Sequence, residues 1–446
     1  MKQLLIYNAN LVDKDHDIHD GAVLIAGTRI KTFPASEAIQ HVLKDKNVQA
    51  VDAQGCTLMP SFIDMHAHFR DPGQTQKEDI SSGMNAAVAG GFGTCVLMPN
   101  TAPVVSSAEM AKKNNCRAEQ AGLCQILQSV SITKNFDGKT LSHLESLSAK
   151  TVPLITEDGH EVADSAMMLQ AMKLAAKKKL IVSCHCEDPM LAAAARPLRT
   201  EALNLLQKNN GVPSAEQKQA ALALLRQADD LLALAEDVAT ERNVRLAEEA
   251  GCHIHLCHVS TARCIDLVRR AQKRGVSVTC EITPHHLSLA TNHAYNRIHL
   301  VNPPLRSEAD RMALIAALQD GTASAIATDH APHTSADKAA GAPGFSGLET
   351  AFAACYTTLC LQNGMSLSRL SELFSANPAK LLGLKNRGLL ANGFEADLVL
   401  VDTKKSWIVH GSNFASKGTY TPFEGKKLHG KILATFYKGR LVFEAP

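Results

Sequence analysis

The sequence predicts an α/β protein: a (β/α)8 TIM barrel with a small β-sandwich domain built from both chain termini. Three observations carry this reading. Short apolar runs alternate eight times with longer amphipathic segments. Polar side chains able to bind a metal close one run after another at the same end. Strand texture precedes the first run and returns after about Lys385.

The eight runs are LMPSFIDMHAHF, TCVLMPN, LCQILQSVS, TVPLITEDG, LIVSCHCED, HIHLCHVS, SVTCEITPHHL and ASAIATDHAPH. Between them lie helix-prone stretches such as SSGMNAAVAGG, ADSAMMLQAMKLAAKKK and TARCIDLVRRAQKRG. A barrel of eight βα units carries its site at the C-terminal ends of the strands. There His66, His68, Asn100, Asp158, His185, His258 and Asp329 each close a run. At the termini, LLIYNANLV, AVLIAG and VQAVDAQGC, then LLANGFEADLVLVD and HGKILATFYKGRLVFE, read as short strands broken by turn residues. Residues 1–55 and 386–446 are therefore assigned to a composite β domain, and residues 56–385 to the barrel. The charged, helix-prone stretch 193–234, broken by Gly211-Val212-Pro213, is read as a helical insertion that touches oligomerisation more than chemistry.

Lys and Arg total 46 against 44 Asp and Glu, a net charge of +2 over 446 residues. That balance argues against a nucleic-acid or membrane partner. No stretch of about 18 uninterrupted apolar residues is present, and the opening MKQLLIYNANLVDKD lacks a signal-peptide pattern. Twelve cysteines in such a chain read as reduced thiols, so the expected location is the cytoplasm. No GxSxG elbow appears, and GGFG at 90–93 lacks the pattern of a dinucleotide site.

His66 and His68 are two residues apart at a strand end, so both imidazoles can reach one ion at about 2.0–2.1 Å. His185 lies in SCHCED, where alternation turns Cys184 and Cys186 to the opposite face, toward barrel–helix packing. By the same parity His253 and His255 should point away from His258, as buried structural histidines. Asp158 and Asp329 add carboxylates at the fourth and eighth run ends. Four histidines and two carboxylates suit Zn2+, and two ions about 3.5–4 Å apart could share one carboxylate and a hydroxide. Arg70, two residues beyond His68, falls on the metal face, where its planar fork suits a substrate carboxylate.

HAHFRDPG, MPNT, EDG, HCED, HVST, NPPLR and TDHAPH, in this order, resemble the bacterial class I dihydroorotases of the amidohydrolase superfamily, and the resemblance extends to the C-terminal strands. It implies two Zn2+ per chain held by His66, His68, Asp158, His185, His258 and Asp329. It also implies that Asp329 is the general acid/base for zinc-hydroxide attack on a cyclic amide. Arg70, Asn100 and His333 would hold the substrate carboxylate, and Asn302 would contact the pyrimidine ring. The implied reaction is the reversible cyclisation of N-carbamoyl-L-aspartate to L-dihydroorotate in de novo pyrimidine (UMP) biosynthesis. A homodimer and association with aspartate transcarbamoylase are the implied assemblies.

Three features depart from the pattern. Glu157-Asp158 stands where an aspartate pair is usual; counting back from His185 supports Asp158 as the bridge, with Glu157 as the alternative. The loop after His333 reads APGFSGLET, and the insertion at 193–234 is longer than in compact members. The alternatives are a hydantoinase or allantoinase type of cyclic amidohydrolase, or a non-catalytic partner of aspartate transcarbamoylase. The first group usually bridges its metals with a carboxylated lysine and lacks the Arg of HxHxR. The second should have lost ligands, and all six are present.

Overall fold

The computed structural model describes residues 3–291 and 300–446; residues 292–299 of the expected barrel region lie outside the described residues. All eight expected runs contribute a parallel barrel strand: Phe62–Ala67, Phe92–Leu97, Gln125–Gln128 continued by Val130–Ser131, Leu154–Thr156, Ile181–Cys184, Ile254–Leu256, Val278–Ile282 and Ala325–Ile326. Neighbours pair in chain order. Inside the barrel Ile63, Met65, Val96, Leu154, Ile181 and Ala325 form a buried apolar plug. A larger cluster, with Cys95, Leu97, Val182, Leu256 and Ile282, packs the outer strand faces against the helices.

The first and eighth strands close the barrel. Ala67 bridges His330 in parallel, and the His68 amide donates to the His330 carbonyl at 2.8 Å. Asp64 reinforces the seam: Oδ1 accepts from the Thr328 amide at 2.9 Å, and Oδ2 from the Thr328 hydroxyl at 2.6 Å. Burial pushes the Asp64 carboxyl up to about 7 in spite of these donors.

The helices start where short polar side chains can cap them. Asp79, Ser107, Asp164, Thr261 and Ser307 each accept from a backbone amide in the first turn. Such capping fixes where each βα loop ends, and so fixes the loops that carry the site.

Two corrections to the sequence reading follow. The run LMPSFIDMHAHF is two strands, not one. Thr57–Pro60 pairs with the N-terminal strand Gln3–Val12 and with Leu398–Ile408, so hydrogen bonding passes from the terminal sheet to the barrel at Ser61, beyond the 55/56 boundary. The apolar character of Leu58 and Met59, buried in both settings, hides the change. The chain ends together form one eight-stranded sheet with Ile6, Val23, Leu58, Leu398 and Phe436 in its core.

The insertion is larger than 193–234. It comprises the helices Pro189–Gly211 and Ala215–Ala250, with the break at Gly211-Val212-Pro213 as expected. The second helix restarts on a capping box between Ser214 and Gln217. Its 36 residues serve two purposes. Ala221, Leu225, Ala228 and Leu232 pack on the first helix, whereas Ala239, Val244 and Ala247 join the barrel core. No helix among the described residues is long and apolar enough to cross a membrane, and all twelve cysteines are free.

The Asp64 seam makes a stability prediction. Asp64→Ala strands two buried Thr328 donors and should lower the unfolding free energy by about 3 kcal/mol. Urea denaturation measures this; a loss under about 1 kcal/mol would mean that the strand ladder closes the barrel without Asp64.

Candidate active site

The expected ligands meet at the C-terminal end of the barrel. His66 lies within the first strand, and His68, Asp158, His185, His258 and Asp329 follow one to three residues after their strands. Asp158 sits at the centre. Its Oδ1 is 3.2 Å from His66 Nε2, 3.5 Å from His185 Nδ1 and 3.8 Å from His258 Nε2, and its Oδ2 is 3.4 Å from His68 Nε2. Asp329 Oδ1 lies 3.1 Å from His68 Nε2 and 3.6 Å from His66 Nε2. Ligand atoms on one tetrahedral zinc at about 2.0–2.1 Å stand roughly 3.3 Å apart, the spacing found here. His66 Nε2 and Asp158 Oδ1 are buried without a hydrogen-bond partner among the described residues. Two overlapping donor groups, His66/Asp158/His258 and His66/His68/Asp329, are each compact enough for one ion. The residues present fit a divalent metal centre, with Asp158 reaching both groups.

Glu157 faces elsewhere. It accepts from the Thr133 amide at 3.0 Å and from the Thr133 hydroxyl. Of the two candidate bridges, Asp158 is the one directed at the histidines.

Charge is balanced within the cluster. Burial pushes the Asp158 carboxyl up, but the His66 charge and the close approach of the His185, His258 and His66 imidazoles outweigh it and hold it well below the usual carboxylate range. Asp329 behaves alike: burial is opposed by the His68 hydrogen bond and by nearby imidazole charge, and its carboxyl ends far down. His66 and His185 are correspondingly raised against burial, chiefly by Asp158. Three site residues also hold left-handed backbone, with φ of 56° at Arg70, 33° at His258 and 47° at Asp329.

Below the cluster lies a layer that sequence reading missed. Glu281 Oε1 accepts from His66 Nδ1 at 2.9 Å, and Oε2 from His255 Nε2 at 3.0 Å. His255 Nδ1 contacts Thr279 Oγ1 at 2.9 Å. Strand alternation had turned His255 away from the site. The left-handed backbone at His258 breaks that alternation, and His255 faces the carboxylate that orients His66. Both remain structural, as does His253, whose Nε2 contacts Thr279 Oγ1 at 3.0 Å. The available signal was Glu281 itself, a carboxylate inside the otherwise apolar run SVTCEIT.

The expected substrate residues differ in how free they are. Arg70 is not paired with Asp71, which Arg117 takes bidentately at 2.9 and 2.8 Å. Among the described residues the Arg70 guanidinium has no hydrogen-bond or ion-pair partner, and its Nε is buried. Asn100 is engaged on both sides: His68 Nδ1 contacts its Oδ1 at 2.9 Å, and its Nδ2 donates to Asp158 Oδ2 at 3.1 Å. His333 donates from Nε2 to the Pro343 carbonyl at 2.8 Å, which leaves Nδ1 as an acceptor. Burial and the Arg70 charge push its imidazole down to about 3. Asn302 precedes a cis Asn302–Pro303 bond, and its Oδ1 accepts from Arg199 at 2.7 Å.

Cys184 and Cys186 are buried with the outer core, and Cys186 meets Asn243 of the long helix, as the alternation predicted. The short helix Pro284–Ser288 that follows the seventh strand carries His285 and His286. His286 is tied to Thr283 and to the Pro303 carbonyl. His285 is 2% exposed with no partner for Nε2, and burial pushes its imidazole down to about 3. An imidazole kept neutral in the fold but protonated below about 6.5 in the unfolded chain favours unfolding as pH falls. The penalty is absent above about 6.5, grows by about 1.4 kcal/mol per pH unit below it, and levels off near 3. His285→Gln should therefore lose about 2 kcal/mol less stability than the parent between pH 7 and pH 5. Equal losses in denaturant titrations at the two pH values would show that His285 is charged in the fold.

Comparison with known proteins agrees with this geometry. The amidohydrolase family model matches residues 57–442. A dihydroorotase of Clostridium botulinum is 39% identical over 99% of this chain and 100% of its own. Dihydroorotases of Staphylococcus epidermidis and Aquifex aeolicus are 38% and 34% identical, with at least 99% of each chain covered. Among solved structures, an L-hydantoinase (dihydropyrimidinase) from Arthrobacter aurescens superposes with a TM-score of 0.85 at 23% identity, covering 100% of this chain and 96% of that one, which speaks to the fold alone. The chain belongs to the amidohydrolase family, and the relatives it matches here from end to end are dihydroorotases.

Proposed function

We propose that this protein is a zinc-dependent dihydroorotase that interconverts N-carbamoyl-L-aspartate and L-dihydroorotate. It is a hydrolase of cyclic amides by family. The observation that carries the substrate is Arg70, a guanidinium unpartnered among the described residues, two residues from a proposed ligand histidine and beside buried carboxylates and imidazoles. A neutral hydantoin or dihydrouracil ring would leave that charge unmatched, whereas a ring carboxylate takes it in a planar, two-point hydrogen bond.

His66, His68, Asp158, His185, His258 and Asp329 are the proposed ligands of two Zn2+ ions, with Asp158 shared. Zinc held there would supply a nucleophile at neutral pH and polarise the amide carbonyl. Asp329 accepts the proton of the attacking water and passes it to the leaving ring nitrogen. In the direction of ring closure it removes the proton from the carbamoyl nitrogen. Its neighbours hold it ionised in the fold, so the carboxylate is unprotonated when a proton is offered. Glu281 and Asn100 keep His66 and His68 turned toward the ions. The substrate carboxylate lies against Arg70, flanked by Asn100 and His333, with His333 Nδ1 open to a substrate N–H and Asn302 against the ring.

We further assign residues 1–60 and 386–446 to one domain and 61–385 to the catalytic barrel, with Ser61 as their junction. A cytoplasmic homodimer, able to associate with aspartate transcarbamoylase, is the proposed assembly.

The first test is turnover of L-dihydroorotate by the purified protein, read as loss of ultraviolet absorbance, beside hydantoin, dihydrouracil and allantoin. Turnover of dihydroorotate that a chelator abolishes and zinc restores is expected. Activity confined to a neutral ring would make this a hydantoinase, and silence on all four with zinc present would point to the non-catalytic partner. Asp329→Asn should lower kcat by about 10²–10⁴-fold; near-normal rates would remove Asp329 from proton transfer. Arg70→Lys should lower kcat/KM by at least about tenfold, since a point charge loses the two-point geometry. Unchanged kinetics would place the carboxylate elsewhere.

A further inference from the structure

The chemistry above leaves the helical insertion unused, yet one of its side chains reaches a proposed substrate residue. Arg199, on the helix Pro189–Gly211, donates from Nη1 to Asn302 Oδ1 at 2.7 Å. Its Nη2 lies 3.5 Å from Asp229 on the helix Ala215–Ala250. The same pair of helices grips the far end of the Asn302–Arg306 segment. Arg306 is 7% exposed; it donates to the carbonyls of Asp229 and Leu232 at 3.0 and 3.2 Å and pairs with Glu236 at 3.1 Å. Glu236 in turn accepts from the Ser260 amide at 2.7 Å, two residues beyond the ligand His258. His286 donates to the Pro303 carbonyl at 3.1 Å from the barrel side. The segment is thus clamped at both ends by the insertion and in the middle by the short helix Pro284–Ser288 that follows the seventh strand.

A guanidinium has five donors and no acceptor. The Asn302 atom facing Arg199 must therefore be the oxygen, which leaves the amide one orientation. Its NH2 group points away from Arg199 and meets no acceptor among the described residues.

We infer that Arg199 is a positioning residue. It turns the Asn302 amide so that a hydrogen-bond donor is presented to the substrate, selecting rings that place an oxygen acceptor, not an N–H, at that point. This rests on the dihydroorotase reading, in which Asn302 contacts the ring. The insertion then acts in substrate recognition through a residue it does not itself contain.

The test is steady-state kinetics on L-dihydroorotate with Arg199→Met, Arg199→Lys, Asn302→Ala and the double variant Arg199→Met/Asn302→Ala. Methionine keeps much of the bulk but offers no donor, so the amide is free to turn. KM should rise about tenfold in Arg199→Met with kcat within about twofold, because a uniform binding contact is lost. Arg199→Lys keeps a donor and should recover most of the affinity. The double variant should be no worse than Asn302→Ala alone, because Arg199 acts only through Asn302.

An unchanged KM in Arg199→Met, or losses that multiply in the double variant, would overturn the inference. So would a fall in kcat and thermal midpoint that lysine does not rescue, which marks a role in folding alone. A wild-type protein inactive on dihydroorotate would remove the functional reading and this inference with it, whereas an active wild type indifferent to Arg199 removes only the inference.

Discussion

Everything at the site depends on how the first and eighth strands join. The backbone bond from His68 to His330 and the Asp64 grip on Thr328 set one register between strands more than 260 residues apart in sequence. In that register His66 and His68 face Asp329. A parallel ladder alone tolerates slippage, and a slip of one residue would turn the facing side chains to the other side of the wall. Asp64 takes both donors of one threonine, and its Oδ1 also accepts from the His66 amide at 3.2 Å, so it ties the two strands at one register. The carboxylate is costly to bury, and its position shows what the cost secures: a closed barrel whose ends meet at the reacting atoms.

The second constraint is electrical. Asp158, Asp329 and Glu281 are gathered with four imidazoles and Arg70 in a space largely closed to water. The acids are driven down and His66 and His185 up, each by its neighbours, so the cluster is stable as a set and not residue by residue. Glu281 extends the set downward. By tying His66 to His255 it links the ligands to the interior of the barrel, where a rigid hydrogen-bonded ring fixes the direction in which a lone pair points.

Much of this was legible in the amino-acid order because barrel strands are short and their C-terminal ends are marked by polar residues. The eight runs and the convergence of His66, His68, Asp158, His185, His258 and Asp329 required only period and position. What escaped notice has physical reasons. Leu58 and Met59 are apolar in either sheet, so no change of texture announced the switch at Ser61. The two-helix insertion keeps one helical composition while it changes partner from helix to barrel near Leu234, and composition does not report what a face packs against. His255 was misplaced because alternation assumes extended backbone, and His258 does not have it. The orientation of the Asn302 amide was out of reach because its partner lies 103 residues away, on an element whose path the sequence does not disclose.

The left-handed backbone at Arg70, His258 and Asp329 carries a consequence for how such a protein can change. Each is a side chain assigned to the proposed chemistry, in a conformation that glycine or asparagine would adopt at lower cost, a difference of about 1–3 kcal/mol apiece. Selection for heat resistance alone would therefore favour replacing the residues to which the proposed chemistry is assigned. A lineage released from its reaction, but still needed as a scaffold, should lose these three positions early and keep the barrel better folded for it. Loss of function along this path would be a relaxation of the chain and not an injury to it.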